Sequence, residues 1–387
     1  MKDVSAYIVA ARRTALGRIG GLHRARRIDA LAAPIVRAVL DDASIAAGDV
    51  DEIIIGNASE GGNPARLIAL AAGLPDRVAA QTIDRQCGSG LDAIIAAVRS
   101  IDAGAADIIV AGGADSLSTA PWRVARPMSP YQTPHFLRLE PESATADGNA
   151  APFEASEALA RRHGIGRDRQ DSWAIDSFAR AGAARDARRF VKEIVALRSN
   201  AEEARDQSAV SPDTEDIVGE MPFLPEDGTI TPANTSTMHD GAAMVVVVSE
   251  RSWQALGRPP ALRLVQTGVC GVSPASEASA PIAAMQALYG RLNGLNPKDI
   301  GVVEMSEASA AQAVALIDTI GLDPAIVNPA GGAISRGHPF GAAGAVLVVR
   351  LFTAMIREAE SAAAPRLGVA TLGTIGGIGL AALFERT

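Results

Sequence analysis

The sequence predicts an α/β fold in which parallel strands alternate with crossover helices. Three observations carry that expectation. Short apolar runs and longer amphipathic runs take turns through the first hundred-odd residues, the layout that puts strands side by side with helices on the sheet faces. The last third repeats this alternation in outline. Of the 387 residues, 48% are apolar but only 4% aromatic, and the abundant Ala and Gly suit close contacts between helix and sheet.

In chain order, residues 4–10 read as a strand, 29–40 as an amphipathic helix, 52–56 as a short buried strand and 65–72 as a helix. The stretch from Gln81 to Ser100 then reads as a strand, a tight Gly-containing turn and a helix starting at Gly88 or Ser89, with Cys87 at the junction. Residues 107–113 close the series as a strand. From about 119 to 232 the chain is richer in Arg, Asp, Glu and Pro and the alternation stops. Helices over 154–163 and 167–189 stand within this segment, which reads as an excursion covering one end of the core. A buried strand at 244–249 follows. The last third gives a strand at 261–271, a helix at 281–292, a strand at 301–305 and a helix from about 310. His338 then sits in a Gly-rich turn before another helix, and strands at 367–372 and 378–384 close the chain. Both halves carry a strand–turn–helix unit with a reactive residue at the turn. Their sequence identity is slight, so duplication rests on layout.

Composition narrows the chemistry. A net charge of −8 argues against a nucleic-acid partner. Two cysteines, Cys87 and Cys270, make no disulfide framework and point to a reducing, cytoplasmic setting. Five scattered histidines lack ligand spacing, so no metal is expected. The N-terminal apolar run is too short for a signal peptide, and no stretch of about 18 or more apolar residues is evident, so neither secretion nor a membrane is expected.

Cys87 and His338 hold the reactive chemistry. Unpaired N–H groups at a helix start carry partial positive charge, which favours a thiolate at Cys87. A lone Cys is more often a small buried residue, and a Gly-His-Pro turn can simply cap a loop. Together, on matching turns, they read as a nucleophile and its base. Cys270, in the strand opening the last third, reads as structural and buried, against the rival reading of a second base.

The motifs at 13–17 (Arg-Thr-Ala-Leu-Gly), 87–91 (Cys-Gly-Ser-Gly-Leu), 111–118, 239–243, 328–344 and 370–379 resemble those of the thiolase family, in the same order and over essentially the whole chain. The resemblance implies two stacked βαβαβαββ halves, giving a five-layer αβαβα fold, with an inserted loop domain. It divides the chain into 1–118 plus 234–256 as the first half, 119–233 as the loop domain over the CoA site, and 257–387 as the second half. It also implies an acyl-CoA substrate with no separate cofactor, a ping-pong mechanism and a homodimer or homotetramer. Cys87 would take up the acyl group. His338 would activate it and help hold a thioester oxyanion, with Ser306 where the family places an Asn that positions a water. Ser236 matches a serine near the CoA pantetheine, with a solvated loop serine as the equal alternative. Glu307 matches the family Glu and Ala308 follows it, both placed at the substrate, although Glu307 reads equally as a structural carboxylate bonded to backbone amides. Backbone donors for the thioester oxyanion would come from the Cys87 amide and the closing turn at 373–376, with Gly376 as the binding glycine there.

The sequence also departs from the pattern. Gly373 stands where thiolases carry a second cysteine, the base that removes the α-proton for carbon–carbon bond formation. Positioned bases contribute on the order of 10²–10⁴-fold, so condensation is expected to be impaired or altered. Ser306 has shorter reach than Asn, and over 151–157 only Glu157 clearly keeps the usual pattern, which leaves the acyl pocket open. Three functions follow: a thiolase-like acyl-CoA acyltransferase; a thioester hydrolase or decarboxylating condensing enzyme on the same scaffold; or a non-catalytic subunit, against which the retained Cys87 and His338 argue.

Overall fold

The computed structural model describes residues 6–137, 152–198, 204–208, 213–224, 227–292, 294–359 and 364–387. The first half runs β1 (Ala6–Arg13), β2 (Gly17–Arg18), α1 (Ile28–Ala43), β3 (Glu52–Gly56), α2 (Pro64–Ala72), β4 (Ala79–Ile83), α3 (Ser89–Asp102) and β5 (Ile108–Asp115). The excursion contributes α4 (Pro152–His163), α5 (Arg167–Asp186) and α6 (Thr214–Val218) before β6 (His239–Ser249) and α7 (Glu250–Ala255). The second half runs β7 (Leu262–Gly271), α8 (Ala280–Arg291), β8 (Val302–Met305), α9 (Ala310–Ile320), α10 (Ala333–Arg336), α11 (Ala343–Phe352), β9 (Leu367–Thr374) and β10 (Ile378–Arg386).

The two halves share one strand order. In the first, β4, β3 and β5 are parallel and β6 is antiparallel to both β5 and β1. In the second, β8 and β9 are parallel and β10 is antiparallel to both β9 and β7. The orders β3-β5-β6-β1 and β8-β9-β10-β7 therefore correspond. They join where Tyr7 and Ile8 of β1 pair with Arg263 and Leu262 of β7. The second half has a single bridge, Val303 to Val327, where the first has β4.

Period-two alternation sorts the side chains into layers. Ala243, Val245 and Val247 of β6 face an inner core with Leu91, Ile94 and Ile95 of α3, Val346 and Val349 of α11, and Leu372 and Leu380 from the other half. Met244, Val246 and Val248 face outward onto α1 and α2. Val303, Val369 and Leu383 face outward onto α8 and α9. The layers are thus α1/α2, sheet, α3/α11, sheet and α8/α9, the five-layer thiolase-like arrangement.

Small residues make the middle layer thin. A Cβ on Gly56 would fall 2.3 Å from the Ser89 carbonyl carbon, and one on Gly90 would come 2.9 Å from the Ala345 amide. Several boundaries differ from the sequence reading. Residues 4 and 5 of the first strand lie outside the described residues, and that strand continues to Arg13. β6 begins at His239 rather than 244, because its Gly and Ala residues pair with equally small ones across β5, such as Ala243 with Gly113. α5 stops at Asp186 because the chain turns at Arg188, where φ is +58°. The segment Phe340–Arg357 is, against expectation, long and apolar enough to cross a membrane, but it is mostly buried as part of the inner helix layer. The excursion packs on the second half: Leu159 of α4 and Trp173 of α5 join the cluster formed by α8 and α9.

Candidate active site

The Cys87 turn is braced by its own residues. Gln86 adopts a left-handed conformation (φ +51°), which reverses the chain between β4 and α3. Ser89 Oγ donates to the Gln86 carbonyl (2.6 Å) and accepts from the Arg85 amide (2.8 Å). Arg85 pairs with Asp92 at 3.2 Å across the first helical turn. Gly88 is needed for space, since a Cβ there would lie 2.7 Å from Leu380 Cδ1 and 3.0 Å from Thr374 Cγ2.

The His338 turn is held from a distance. The His338 amide donates to the Thr237 carbonyl (2.9 Å), and the His338 carbonyl accepts from the His239 amide (2.8 Å). A Cβ on Gly337 (φ +103°) would strike the His239 ring at 2.4 Å. Upstream, Asn328 accepts from the Met305 amide (2.8 Å) and donates to Glu307 (2.8 Å). Downstream, the Gly341 amide donates to Asp115 (2.7 Å), which burial pushes up to about 7 against hydrogen bonds from Ser59, Gly341 and Ala58.

Both turns open on one cavity of about 240 Å³. Cys87, His338, Ser306, Gly373, Ser236 and Ala308 all line it, so six of the eight residues expected at the site are brought together. Ser306 Oγ lies 3.1 Å from His338 Nδ1. The Ser236 amide donates to the Ala308 carbonyl (3.2 Å), which seats one wall against another.

The other two residues are placed differently. Glu307 is fully buried away from the lining and accepts from Trp173 Nε1 (3.1 Å), Ser177 Oγ (2.9 Å), Asn328 Nδ2 (2.8 Å) and the Ile334 amide (3.2 Å). It fastens α5 to the turn ahead of His338 and presents no oxygen to the cavity lining. The Gly376 amide is already donated to Glu277 Oε2 (2.8 Å). The closing-turn donor that reaches the Cys87 sulfur is the Ile375 amide, and the Cys87 amide also hydrogen-bonds it.

The protonation states also differ from expectation. Burial pushes the Cys87 thiol up to about 12, and the Ile375 and Cys87 amides offset only part of that; Asp115 and Glu277 add to the rise. The expected helix-start thiolate is therefore a thiol at rest, because loss of solvation outweighs two backbone donors. Burial, reinforced by His239, lowers His338 to about 4, so the imidazole is neutral. Cys270 is half-buried on β7, more exposed than expected, and is not part of the cavity wall.

Sequence reasoning missed Glu277, Gln312 and the aromatic pair Phe153 and Phe223, all in the cavity wall, and within the expected donor turn at 373–376 it named Gly376 rather than Ile375. Phe153 and Phe223 stack with centroids 5.3 Å apart. Glu277 had one signal: it is the lone charge in the Ala- and Ser-rich run from 273 to 280. Glu157 accepts from the Thr229 and Ile230 amides and acts within the excursion. Ala151, at the head of the 151–157 stretch, lies outside the described residues. Among the described residues no group of three or more His, Cys, Asp or Glu is placed to hold a metal ion.

Comparisons with known proteins cover the chain almost from end to end. The family described as "Thiolase, N-terminal domain" matches residues 6–251, and "Thiolase, C-terminal domain" matches residues 258–386. The Bacillus subtilis protein YhfS is 38% identical over 391 aligned residues, covering 99% of each chain. An acetyl-CoA acetyltransferase of Rhizobium meliloti is 35% identical over 401 aligned residues, covering 100% of each. The crystal structure of the Bacillus anthracis acetyl-CoA acetyltransferase superposes with a TM-score of 0.91 at 29% identity, covering 99% of each chain.

Proposed function

Because the chain belongs to the thiolase family, we propose that it is an acyltransferase that loads an acyl group from a CoA thioester, acetyl-CoA foremost, onto Cys87. One observation carries this reading: Cys87 and His338, delivered by corresponding turns of the two halves, line the same cavity, with two backbone amides directed at the sulfur.

Both groups are neutral at rest, so deprotonation accompanies attack. Ser306 Oγ lies 3.1 Å from His338 Nδ1; in the tautomer with the proton on Nδ1 it accepts that hydrogen bond, and Nε2 has a lone pair to take the Cys87 proton as the sulfur bonds to the thioester carbon. The carbonyl oxygen becomes an oxyanion held by the Cys87 and Ile375 amides, donors fixed in place before charge develops. Collapse breaks the bond to the CoA sulfur, which leaves with the proton from His338. A neutral imidazole suits both transfers, because it accepts the thiol proton and then returns it.

Thr235, Ser236 and Ala308, with the stacked pair Phe153 and Phe223, line the cavity that would take the pantetheine arm and the acyl group. Carbon–carbon bond formation is altered at Gly373. Association into a homodimer or homotetramer is supported by apolar side chains exposed on one segment: Trp122 (85%), Met128 (91%) and Tyr131 (97%).

The test is intact-mass measurement after incubation with a panel of acyl-CoAs. The expected result is one acyl group per chain, absent in Cys87→Ala. No adduct on the wild-type protein, or an adduct that survives Cys87→Ala, would overturn the reading.

A further inference from the structure

Gly373 leaves the cavity without the side chain that would take an α-proton, yet the wall beside it holds a carboxylate. Glu277 lies in the turn immediately before α8 and lines the cavity together with Cys87, His338 and Gly373. Its Oε2 accepts from the Gly376 amide at 2.8 Å, which ties the carboxylate to the closing turn that carries Gly373. A Cβ on Gly373 would lie 3.0 Å from Pro281 Cδ and 3.6 Å from both Ala280 Cβ and Gln312 Nε2, so the position without a side chain sits against the start of α8, which directly follows the turn carrying Glu277, and beside the cavity residue Gln312. Glu277 is also near enough to Cys87 for its charge to raise the thiol's pKa. Cys270, the other residue able to replace a missing thiol base, is not in this wall. We infer that Glu277 is the general base that removes the α-proton of the second acyl-CoA, in place of a side chain at 373. Carboxylates perform the same task beside carbonyls in other enzymes.

The step rests on the acyl-Cys87 reading above, and it balances. The Glu277 carboxylate takes one α-proton from the CoA-bound acetyl group. The enolate carbon bonds to the thioester carbon of acyl-Cys87. The bond from that carbon to the Cys87 sulfur breaks, and the departing thiolate receives the proton held by Glu277. The resting thiol and carboxylate are regenerated, and the product is a β-ketoacyl-CoA.

Deuterium washout tests the assignment separately from acylation. Acetyl-CoA deuterated at its methyl group is incubated with the full chain in ordinary water. Loss of deuterium from the CoA ester and acyl load on Cys87 are both read by mass spectrometry on the same samples. The wild-type protein is expected to wash out deuterium. Glu277→Gln, which retains an oxygen able to accept from the Gly376 amide, is expected to slow washout by on the order of 10²–10⁴-fold, far more than acyl load falls. Adding Gly373→Cys to that variant is expected to recover washout, since a side chain at 373 needs Pro281 to shift by only a few tenths of an ångström. Glu277→Asp keeps the charge on a shorter arm and separates loss of the base from loss of the fold. The inference is overturned if acylated wild-type protein exchanges no deuterium, if Glu277→Gln exchanges at the wild-type rate, or if that variant slows only hydrolysis of acyl-Cys87. Washout that depends on Glu277 without any acyl load would uphold the base and sink the acyl-enzyme reading.

Discussion

At the Cys87 turn the hydrogen bonds that shape the backbone come from within seven residues, Ser89 to Arg85 and Gln86 and Arg85 to Asp92, while the Ile375 amide of the other half reaches only the sulfur. At the His338 turn the braces come from Thr237 and His239 at the entrance to β6, from Asn328, and through Asn328 from Glu307, which also holds Trp173 and Ser177 of α5. The backbone of the nucleophile's turn is thus shaped by its own peptide, whereas the turn that carries the base is held by several other parts of the chain, Asp115 among them. Damage should follow that division. Changes near Cys87 should act on one turn, and changes far from His338 should still reach the site.

The largest effect expected is at the imidazole itself. His338→Gln keeps a polar side chain but cannot take the thiol proton, so single-turnover acylation of Cys87 should fall by on the order of 10²–10⁴-fold. A fall of less than tenfold would mean that the sulfur does not depend on the other half of the molecule, and the comparison would fail.

Next in size is the pH dependence. A thiol with the ordinary value of 9.0 stops gaining reactivity near that pH, but Cys87 is pushed up to about 12. Alkylation of Cys87 by iodoacetamide should therefore keep climbing by about tenfold per pH unit between pH 7 and 10, with no plateau, and at neutral pH should be about a hundredfold or more slower than for an exposed cysteine. Glu277→Gln removes one charge that raises the thiol, so its profile should shift to lower pH. On the other limb His338, lowered to about 4 from 6.5, stays neutral on acidification, so acylation should persist until the pH approaches 4. A loss centred near 6.5 would contradict that burial.

The same division explains what was legible in the sequence. The Cys87 turn was readable because its determinants are adjacent: a strand, a Gly-Ser-Gly turn and a helix start. The alternating layout of both halves was readable for the same reason, since period and turn chemistry are local. The partners of Glu307 were not, because Trp173, Ser177, Asn328 and Ile334 meet it only after the excursion folds onto the second half. Its motif left a substrate contact and a structural carboxylate equally open, and the fold turned it inward onto those partners. Ile375 and Gly376 differ by one residue in a hairpin, and only the observed turn decides which amide reaches Cys87 and which is taken by Glu277. The thiolate expectation erred because a helix start is visible in sequence and the depth of burial is not.

Glu307→Ala probes the distant braces. It removes the acceptor of four buried donors; Ser177 Oγ and Asn328 Nδ2 keep Ser335 and the Met305 carbonyl as partners, whereas the Trp173 indole and the Ile334 amide are left unsatisfied, at a cost of about 1–3 kcal/mol each. The urea midpoint should fall accordingly, and acylation should fall with it as the turn ahead of His338 loosens, although Glu307 does not line the cavity. Glu307→Gln, which keeps an acceptor oxygen, should lose less on both measures.

The smallest effect expected is Ser89→Ala. Its hydroxyl joins only the Arg85 amide and the Gln86 carbonyl, two groups of the same turn. The backbone bonds from Gly88 to Arg85 and from Ser89 to Gln86, both 3.0 Å, remain to hold the reversal. Loss of the hydroxyl should cost about 1 kcal/mol in urea melts. It should slow acylation by less than about tenfold, since roughly 1.4 kcal/mol corresponds to a factor of ten. If Ser89→Ala instead matched Glu307→Ala in both stability and rate, the Cys87 turn would depend on more than its own residues, and the contrast between a locally built nucleophile and a remotely built base would be lost.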